Sequence, residues 1–176
     1  MKRFRPDYYS QNIFDIDVSF FVKRGYKCVL CDLDNTLDAF DELNPSLRVK
    51  KLKEDLEKVN IKLCIVSNNR ASRKSIYCER LGVEGIFSCR KPFAKKINDF
   101  ITKLNFKKSE VILVGDQLLT DVMCAKNVGI KVILTEPITK KDQWTTKFNR
   151  LIDKPIRKHL KNKGYLESVR ITIGQE

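Results

Sequence analysis

The feature that most constrains this sequence is an apolar run, Cys28-Val29-Leu30-Cys31, which ends in Asp32-Leu33-Asp34. A short continuous apolar run predicts a strand buried on both faces, as in the parallel sheet of an α/β protein. Two carboxylates directly after such a strand lie at the carboxyl edge of the sheet, where open α/β sheets bind ligands. There an aspartate can attack phosphorus, and a second acid can protonate the leaving oxygen. The same residues also fit an Asp-x-Asp turn that only caps a helix. The residues at the other strand ends are needed to decide between a catalytic pair and a capping turn.

Polar residues also follow the second predicted strand. Residues 61–66 form an apolar run that ends in Ser67-Asn68-Asn69, and a helix is predicted from residue 72 to residue 81. A hydroxyl at a strand end, close to the backbone amides of a helix N-terminus, can bind phosphate. Ser67 and Asn68 are therefore candidate phosphate-binding residues, although Ser and Asn before a helix are also ordinary caps.

The fourth predicted strand, residues 111–114, ends in Gly115-Asp116, and Asp121 falls in the first turn of the next helix. We expect Asp116 at the sheet edge beside the first strand. One carboxylate from each of two neighbouring strands makes a hard oxygen site of the kind that binds Mg²⁺. Asp32 and Asp116 are the candidate pair.

Four short motifs together resemble those of the haloacid dehalogenase-like (HAD) phosphohydrolases. They are the Asp-x-Asp-x-Thr-Leu hexapeptide at residues 32–37, Ser67 at the second strand end, Lys91 before Pro92, and Gly115-Asp116. A short third strand is predicted at residues 85–88, just before Lys91. The motifs occur in the family's order, each at a predicted strand end, and the resemblance runs from about residue 27 to residue 134. A helix-capping turn does not account for this order.

The resemblance implies a role for each of these side chains. Asp32 would be the nucleophile, Asp34 the general acid and base, and Ser67 and Lys91 the groups that bind the phosphoryl group. Mg²⁺ would be held by Asp32, by Asp116 and by the main-chain carbonyl of Asp34.

One position departs from the family pattern. Gln117 stands where many members carry a second acid directly after the first. Asp121 is therefore expected to orient the site, and its direct contact with the metal is left open.

The resemblance also implies the architecture: a three-layer, doubly wound α/β fold with a mainly parallel five-stranded sheet in the order 5-4-1-2-3. The connections after the first and second motifs are too short for a cap domain. We expect one domain, with an N-terminal extension at residues 1–25, a core at residues 27–134 and a basic C-terminal segment at residues 140–176. Pro-Asp-Tyr ahead of the first strand and Gly-Asp-Gln-x-x-Thr-Asp at the fourth motif resemble the subfamily IIIA phosphatases of the YqeG type. Relatives of that type include mitochondrial phosphatases that act on phosphatidylglycerophosphate.

The C-terminal segment carries ten Lys or Arg and four acids. Trp144, Phe148, Leu151 and Ile152 recur at helical spacing, which predicts an amphipathic helix packed on the sheet, with a membrane-surface helix as the alternative. Pro155 is expected to break or kink this helix.

Composition limits the partners. Lys and Arg number 35 against 22 Asp and Glu, a formal net charge of +13, which favours phosphate esters, nucleic acid or an anionic membrane surface. No run is long enough to span a membrane and the first residues lack a signal-peptide core, so a cytoplasmic location, with peripheral docking on a membrane, is expected. Cys28 and Cys31 have Cys-x-x-Cys spacing, but residues three apart on a strand point to opposite faces, and no second cysteine pair or histidine pair completes a zinc site. All six cysteines are therefore expected to be reduced, mostly buried thiols.

The charge leaves three functions open. The favoured one is hydrolysis of a phosphomonoester on a lipid such as phosphatidylglycerophosphate, since a capless site admits a bulky or membrane-attached substrate. The second is a phosphatase for nucleic-acid ends or small soluble phosphomonoesters, and the third a non-catalytic, RNA-associated binding protein on the same fold. The intact set of motif residues argues against the third.

Overall fold

Six parallel strands form one sheet in the computed structural model, which describes residues 2–139 and 144–167, apart from the side chains of residues 71–73 and 144–150. The spatial order is β1-β6-β5-β2-β3-β4. The strands are β1 (Tyr8–Ser10), β2 (Cys28–Cys31), β3 (Lys62–Val66), β4 (Glu84–Ile86), β5 (Val111–Gly115) and β6 (Lys131–Thr135).

The predicted α/β class is confirmed, but the predicted count of five strands is wrong. Strands β2 to β6 stand in the predicted order, and the N-terminal segment adds β1 in parallel beside β6, with Tyr8 opposite Ile133. The carboxylate of Asp7 accepts hydrogen bonds from Lys126 Nζ at 2.8 Å and Lys131 Nζ at 2.9 Å. These ion pairs fix the start of a strand only three residues long.

Helices connect the strands. They are α1 (Val18–Lys23), α2 (Leu47–Lys58), α3 (Ala71–Leu81), α4 (Lys95–Lys103), α5 (Met123–Val128) and α6 (Trp144–Asn162). A single turn of π-helix, Leu118–Val122, precedes α5. Asp17 caps α1, because its carboxylate accepts the Ser19 N–H at 2.8 Å, and Gly82 ends α3 with a left-handed φ of 72°.

Alternate residues of each central strand enter two different cores. On one face Val29 and Cys31 pack with the side chains of α1, α2 and α3, among them Phe20, Leu56 and Tyr77. On the other face Cys28 and Leu30 pack with α4, α5 and α6, including Phe100 and Leu160. The sheet is therefore the middle of three layers, and all four residues of β2 are buried. All six cysteines are buried and free, as predicted.

Helix α6 differs from its prediction in two ways. It continues through Pro155 to Asn162. The hydrogen bond that proline cannot make is the one to the carbonyl of Leu151. The predicted apolar stripe is also not the buried face, since Leu151 is 70% exposed and Ile152 is 40% exposed.

The face of α6 that turns to the protein is set by Asp153, Ile156, Arg157 and Leu160, which follow helical spacing. Asp153 and Leu160 are each 1% exposed. The side chains of Trp144 and Phe148 lie outside the described residues. The buried face is thus partly charged.

The connections that follow β2 and β3 at the carboxyl edge are short, and the structure describes the backbone of both. Residues 38–46 after the first motif form turns, and α3 alone fills the connection from β3 to β4. These connections contain no cap domain. Across residues 2–139 and 144–167, no helix has both the length and the apolar character of a membrane span.

Candidate active site

The end of β2 places Asp32 at the centre of the carboxyl edge. Its N–H donates to Val114 O of β5 at 2.9 Å, so the main chain keeps strand pairing up to this residue. The loop then turns sharply, with Asn35 in the left-handed region at a φ of 61°, and the Leu37 N–H donates to Leu33 O at 3.1 Å. Asn tolerates this backbone conformation better than most residues, which gives a reason for its place in the hexapeptide. Asp32 is 7% exposed.

Lys91 lies against Asp32. Its Nζ donates to Asp32 Oδ1 at 2.6 Å, to Asp121 Oδ1 at 2.6 Å and to Val66 O at 3.1 Å. The three acceptors use all three protons of an ammonium group. The structure therefore brings Lys91 to the place that the family motif implied, whereas Lys95 pairs with Asp99 on the exposed surface of α4.

Asp116 and Asp121 complete an acidic cluster with Asp32. One carboxylate oxygen from each of the three lies within 4.8 Å of the others, and all three residues are buried. Gly115 makes this possible, because a Cβ at that position would lie 2.3 Å from Asp121 Cγ. The Gln117 N–H donates to Asp121 Oδ2 at 3.1 Å and turns this carboxylate towards the centre.

Three carboxylates and the ammonium group of Lys91 lie together in this cluster. Burial raises the pKa of Asp32 well above its usual range, against the attraction of Lys91, and Asp121 and Asp116 raise it further. Burial acts to lower the pKa of Lys91, but Asp121 and Asp32 outweigh it and hold the pKa well above the usual range. A divalent cation among three buried carboxylate oxygens would offset the excess negative charge. The donor set fits a hard cation such as Mg²⁺.

Asp34 is not part of that cluster. Asn69 Nδ2 donates to its Oδ2 at 2.6 Å, and Lys74 Nζ donates to its Oδ1. Lys74 lies in α3, is 6% exposed and also donates to Phe40 O at 3.2 Å. The carboxylate of Asp34 is thus held in one position, as a proton-transfer group requires.

Ser67 and Asn68 follow β3. Ser67 is 1% exposed, and its hydroxyl oxygen accepts the Asn69 N–H at 3.1 Å. Cys31 of β2 pairs with Ile65 of β3, so Val66 lies beside Asp32 and Ser67 is the next residue along the chain. The side-chain amide of Asn68 instead makes two hydrogen bonds with the main chain of Lys91. It accepts the Lys91 N–H at 2.7 Å and donates to the Lys91 carbonyl at 3.2 Å. In the structure Asn68 orients Lys91, and its predicted contact with phosphate stays a prediction.

Sequence reasoning missed Lys74 and gave no role to Asp38. Asp38 is 3% exposed, and it accepts the Tyr77 hydroxyl at 2.6 Å and the Ser46 N–H at 3.0 Å. Burial, and then Asp38, raises the pKa of Tyr77 above its usual range. These bonds tie the first loop to α2 and α3. A buried acid in a loop gives no periodic signal, so only the folded contacts reveal it.

Strand order, the cluster at the carboxyl edge and the absence of a cap together define a capless α/β hydrolase. The family model for haloacid dehalogenase-like hydrolases matches residues 17–135, and the chain belongs to that family.

A curated relative is "Probable phosphatase YqeG" of Bacillus subtilis, 37% identical over 166 residues that cover 94% of this chain and 96% of the relative. The predicted resemblance to this type and the predicted phosphatase class are confirmed. The relation to phosphatidylglycerophosphate phosphatases stays a prediction.

Solved structures support the fold. One, assigned to subfamily III A of the same superfamily and taken from Legionella pneumophila, has a TM-score of 0.51 at 19% identity and covers 70% of this chain and 71% of its own. Another, assigned as a 3-deoxy-D-manno-octulosonate 8-phosphate phosphatase from Vibrio cholerae, has a TM-score of 0.51 at 17% identity, with coverage of 67% and 71%. At these identities the likeness concerns the fold alone.

Proposed function

We propose that this protein is a Mg²⁺-dependent phosphomonoester hydrolase that works through an aspartyl-phosphate intermediate. The observation that carries the proposal is the buried cluster at the strand ends, where Lys91 joins Asp32 to Asp121 and one oxygen each from Asp32, Asp116 and Asp121 lie within 4.8 Å. The cluster contains neither a thiol nor an imidazole. The nucleophile that we propose is the carboxylate of Asp32, which Lys91 holds at the strand end.

The reaction is proposed in two steps. A carboxylate oxygen of Asp32 attacks phosphorus while the bond from phosphorus to the ester oxygen breaks, and Asp34 gives its proton to the departing alcohol. In the second step Asp34 takes a proton from water, the water oxygen attacks phosphorus, and the bond from phosphorus to Asp32 breaks to release inorganic phosphate. Asp34 thus ends as it began, ready to act as an acid.

The remaining residues bind charge. Lys91 neutralises Asp32 at rest and can bind a phosphoryl oxygen during transfer, and Ser67 offers its hydroxyl from the next strand. Asp32 and Asp116 would hold Mg²⁺, with the main-chain carbonyl of Asp34. Bound Mg²⁺ would neutralise the phosphate and polarise its oxygens.

Asp121 takes an orienting role in this proposal. Its two oxygens accept from Lys91 and from the Gln117 N–H. Its carboxylate still lies in the cluster, so an additional contact with the metal remains compatible with the geometry.

The first experiment measures hydrolysis of an aryl phosphate by the purified protein with Mg²⁺ and with EDTA. We expect metal-dependent activity that Asp32→Asn abolishes, because the amide keeps the size of the side chain and loses the nucleophile. Wild-type turnover in Asp32→Asn would contradict the covalent mechanism. A folded protein that binds Mg²⁺ but hydrolyses no phosphomonoester would instead favour the non-catalytic binding function.

For the substrate we propose a phosphomonoester carried on an anionic lipid, with phosphatidylglycerophosphate as the favoured case. The capless carboxyl edge leaves room for a bulky surface, and the chain carries a net charge of +13. Basic residues contribute about 1 kcal/mol each near an anionic bilayer, so a few suffice for transient docking. The same charge would serve nucleic-acid ends, and the Vibrio cholerae neighbour supplies a sugar phosphate as a soluble alternative.

The second experiment compares phosphate release, at matched low salt, from phosphatidylglycerophosphate in anionic vesicles, 3′-phosphorylated oligonucleotides, glycerol phosphate and a sugar 8-phosphate. We expect the vesicle substrate to be the fastest and the protein to sediment with the vesicles. Faster turnover of any soluble substrate would overturn the lipid proposal and leave the phosphatase proposal standing.

A further inference from the structure

Helix α6 lies beyond the part of the chain that matches the family model, which ends at residue 135. It nevertheless reaches the acidic cluster. Arg157 of α6 contacts the main chain of a cluster residue: its Nη2 donates to the main-chain carbonyl of Asp116 and to Thr135 O at 3.1 Å. Its side chain is 13% exposed.

The same guanidinium group is fixed from its other end. Arg157 Nη1 donates to Glu136 Oε1 at 3.0 Å, and the hydroxyl of Tyr9 donates to the same oxygen at 2.9 Å. Burial and Glu136 raise the pKa of Tyr9 to about 12, so this hydroxyl stays a donor at neutral pH. Tyr9 belongs to β1, so β1 and α6 both bind the carboxylate of Glu136, the residue that follows β6.

Asp153 lies one turn before Arg157 on the same face of α6, and it contacts the segment that follows Asp116. Its Oδ2 accepts the Leu118 N–H at 2.9 Å. Leu118 is the first residue of the π-helical turn that carries Asp121. This N–H has no acceptor within its own turn, so the carboxylate replaces a missing helix cap.

From these contacts we infer that Arg157 and Asp153 are positioning residues that hold the segment from Asp116 to Asp121 in the geometry that binds a divalent cation. The inference rests on the proposed function, because it concerns the same site. Arg157 fixes the main chain of Asp116 and Asp153 fixes the start of the next turn, so the carboxylates of Asp116 and Asp121 cannot drift apart. Groups that orient metal ligands typically change metal affinity by about 10- to 100-fold when they are removed.

The test measures binding of Mn²⁺, as a probe for the site, by electron paramagnetic resonance titration of the full chain. We expect Arg157→Met to weaken binding by about 10- to 100-fold and Arg157→Lys to weaken it less, since a lysine keeps the charge and can still donate to Asp116 O. Lys158→Met, which removes an exposed cation from the next position of α6, is the matched control and should bind Mn²⁺ as the wild type does.

Two further measurements separate positioning from general loss of structure. Hydrogen exchange of the metal-free protein should quicken at residues 116–122 in Arg157→Met and at Leu118 in Asp153→Ala, while β2 stays protected. Turnover of Arg157→Met should approach the wild-type kcat when Mg²⁺ is raised to saturation, because only metal affinity is changed. If Arg157→Met does not fold, Arg157→Lys and Asp153→Ala carry the same comparisons.

Mn²⁺ affinity and loop exchange of folded Arg157→Met or Asp153→Ala equal to those of Lys158→Met would overturn the inference. Failure of the proposed function looks different: the wild type would bind Mn²⁺, the variants would still weaken it, and no phosphomonoester would be hydrolysed.

Discussion

Replacing Lys91 with methionine tests the electrostatic design of the site. Methionine is similar in length and apolar, so the change removes the ammonium group and leaves little empty space. The Nζ of Lys91 now contacts Asp32 and Asp121 at 2.6 Å each. In the metal-free variant both carboxylates, and the nearby Asp116, would be buried with no counter-charge from position 91.

Removal of one partner from a buried ion pair costs about 3–5 kcal/mol, because the other charge stays buried and unpaired. For a chain of this length, each kcal/mol lowers Tm by roughly 2–4 °C, so Lys91→Met should melt roughly 6–20 °C below the wild type without metal. Saturating Mg²⁺ should recover part of this loss, because the cation supplies the missing positive charge. Turnover should fall about 100- to 1000-fold, as it does when one group that stabilises transition-state charge is removed.

The assay is thermal unfolding with EDTA and with Mg²⁺, together with kinetics on an aryl phosphate. Lys95→Met is the matched control, because Lys95 is four residues away, its side chain is 87% exposed and its ion pair is with Asp99 on the surface. Lys96→Met, whose Nζ reaches only the Phe87 carbonyl at 3.2 Å, should be equally mild. Both should stay within about 0.5 kcal/mol of the wild type. Unchanged Tm and turnover in Lys91→Met, or a larger loss in Lys95→Met, would refute the reasoning.

Three other variants probe single contacts. Asp34→Asn should slow turnover by about 10²- to 10⁴-fold with an unchanged fold, since the amide can keep the bond to Lys74 but cannot transfer a proton; normal kcat would exclude Asp34 as the acid and base. Gly115→Ala should lose activity and metal affinity together, because the new Cβ would lie 2.3 Å from Asp121 Cγ; wild-type Mn²⁺ affinity would contradict this. Burial acts to raise the pKa of Asp7, but Lys126 and Lys131 outweigh it and lower it. Asp7 therefore stabilises the fold above the pKa that it has in the unfolded state, and this stabilisation is lost as pH falls through the pKa that it has in the folded state. The difference in the free energy of unfolding between the wild type and Asp7→Asn, measured in urea, should be full at about pH 6 and vanish near pH 2.

The strand core and the motif residues were predictable because both signals are local. Buried parallel strands give continuous apolar runs, and chemistry at their carboxyl ends follows from the sheet topology. β1 gave no such signal: Tyr8–Ser10 is three residues long, only Ser10 is buried, and its pairing with β6 joins positions more than a hundred residues apart. A short edge strand of this kind is recognised only from its pairing with a neighbouring strand in the folded structure.

Lys74 and the inner face of α6 were missed for a different reason. Lys74 is one of 35 basic residues, and nothing in the sequence distinguishes it from a surface lysine until α3 brings it to Asp34. In α6 the hydrophobic periodicity pointed to Leu151 and Ile152, whereas Asp153 and Arg157 are turned inward. Periodicity finds an apolar buried face, and it fails where a helix buries charge to hold a site.

Gln117 stands where many family members carry an acid, and this difference connects Gly115, the π-helical turn and α6. With Gln117 directly after Asp116, the second acid of this segment is Asp121, which returns to the cluster from the following turn. That return requires a glycine at position 115, because Asp121 occupies the space of a Cβ, and it requires a π-helical turn started in the right place. Asp153 sets that start through the Leu118 N–H, and Arg157 fixes Asp116 from the same helix. The C-terminal helix therefore supports the acidic cluster from outside the part of the chain that matches the family model, and a chain cut before α6 should lose metal affinity even where strands β2 to β6 remain folded.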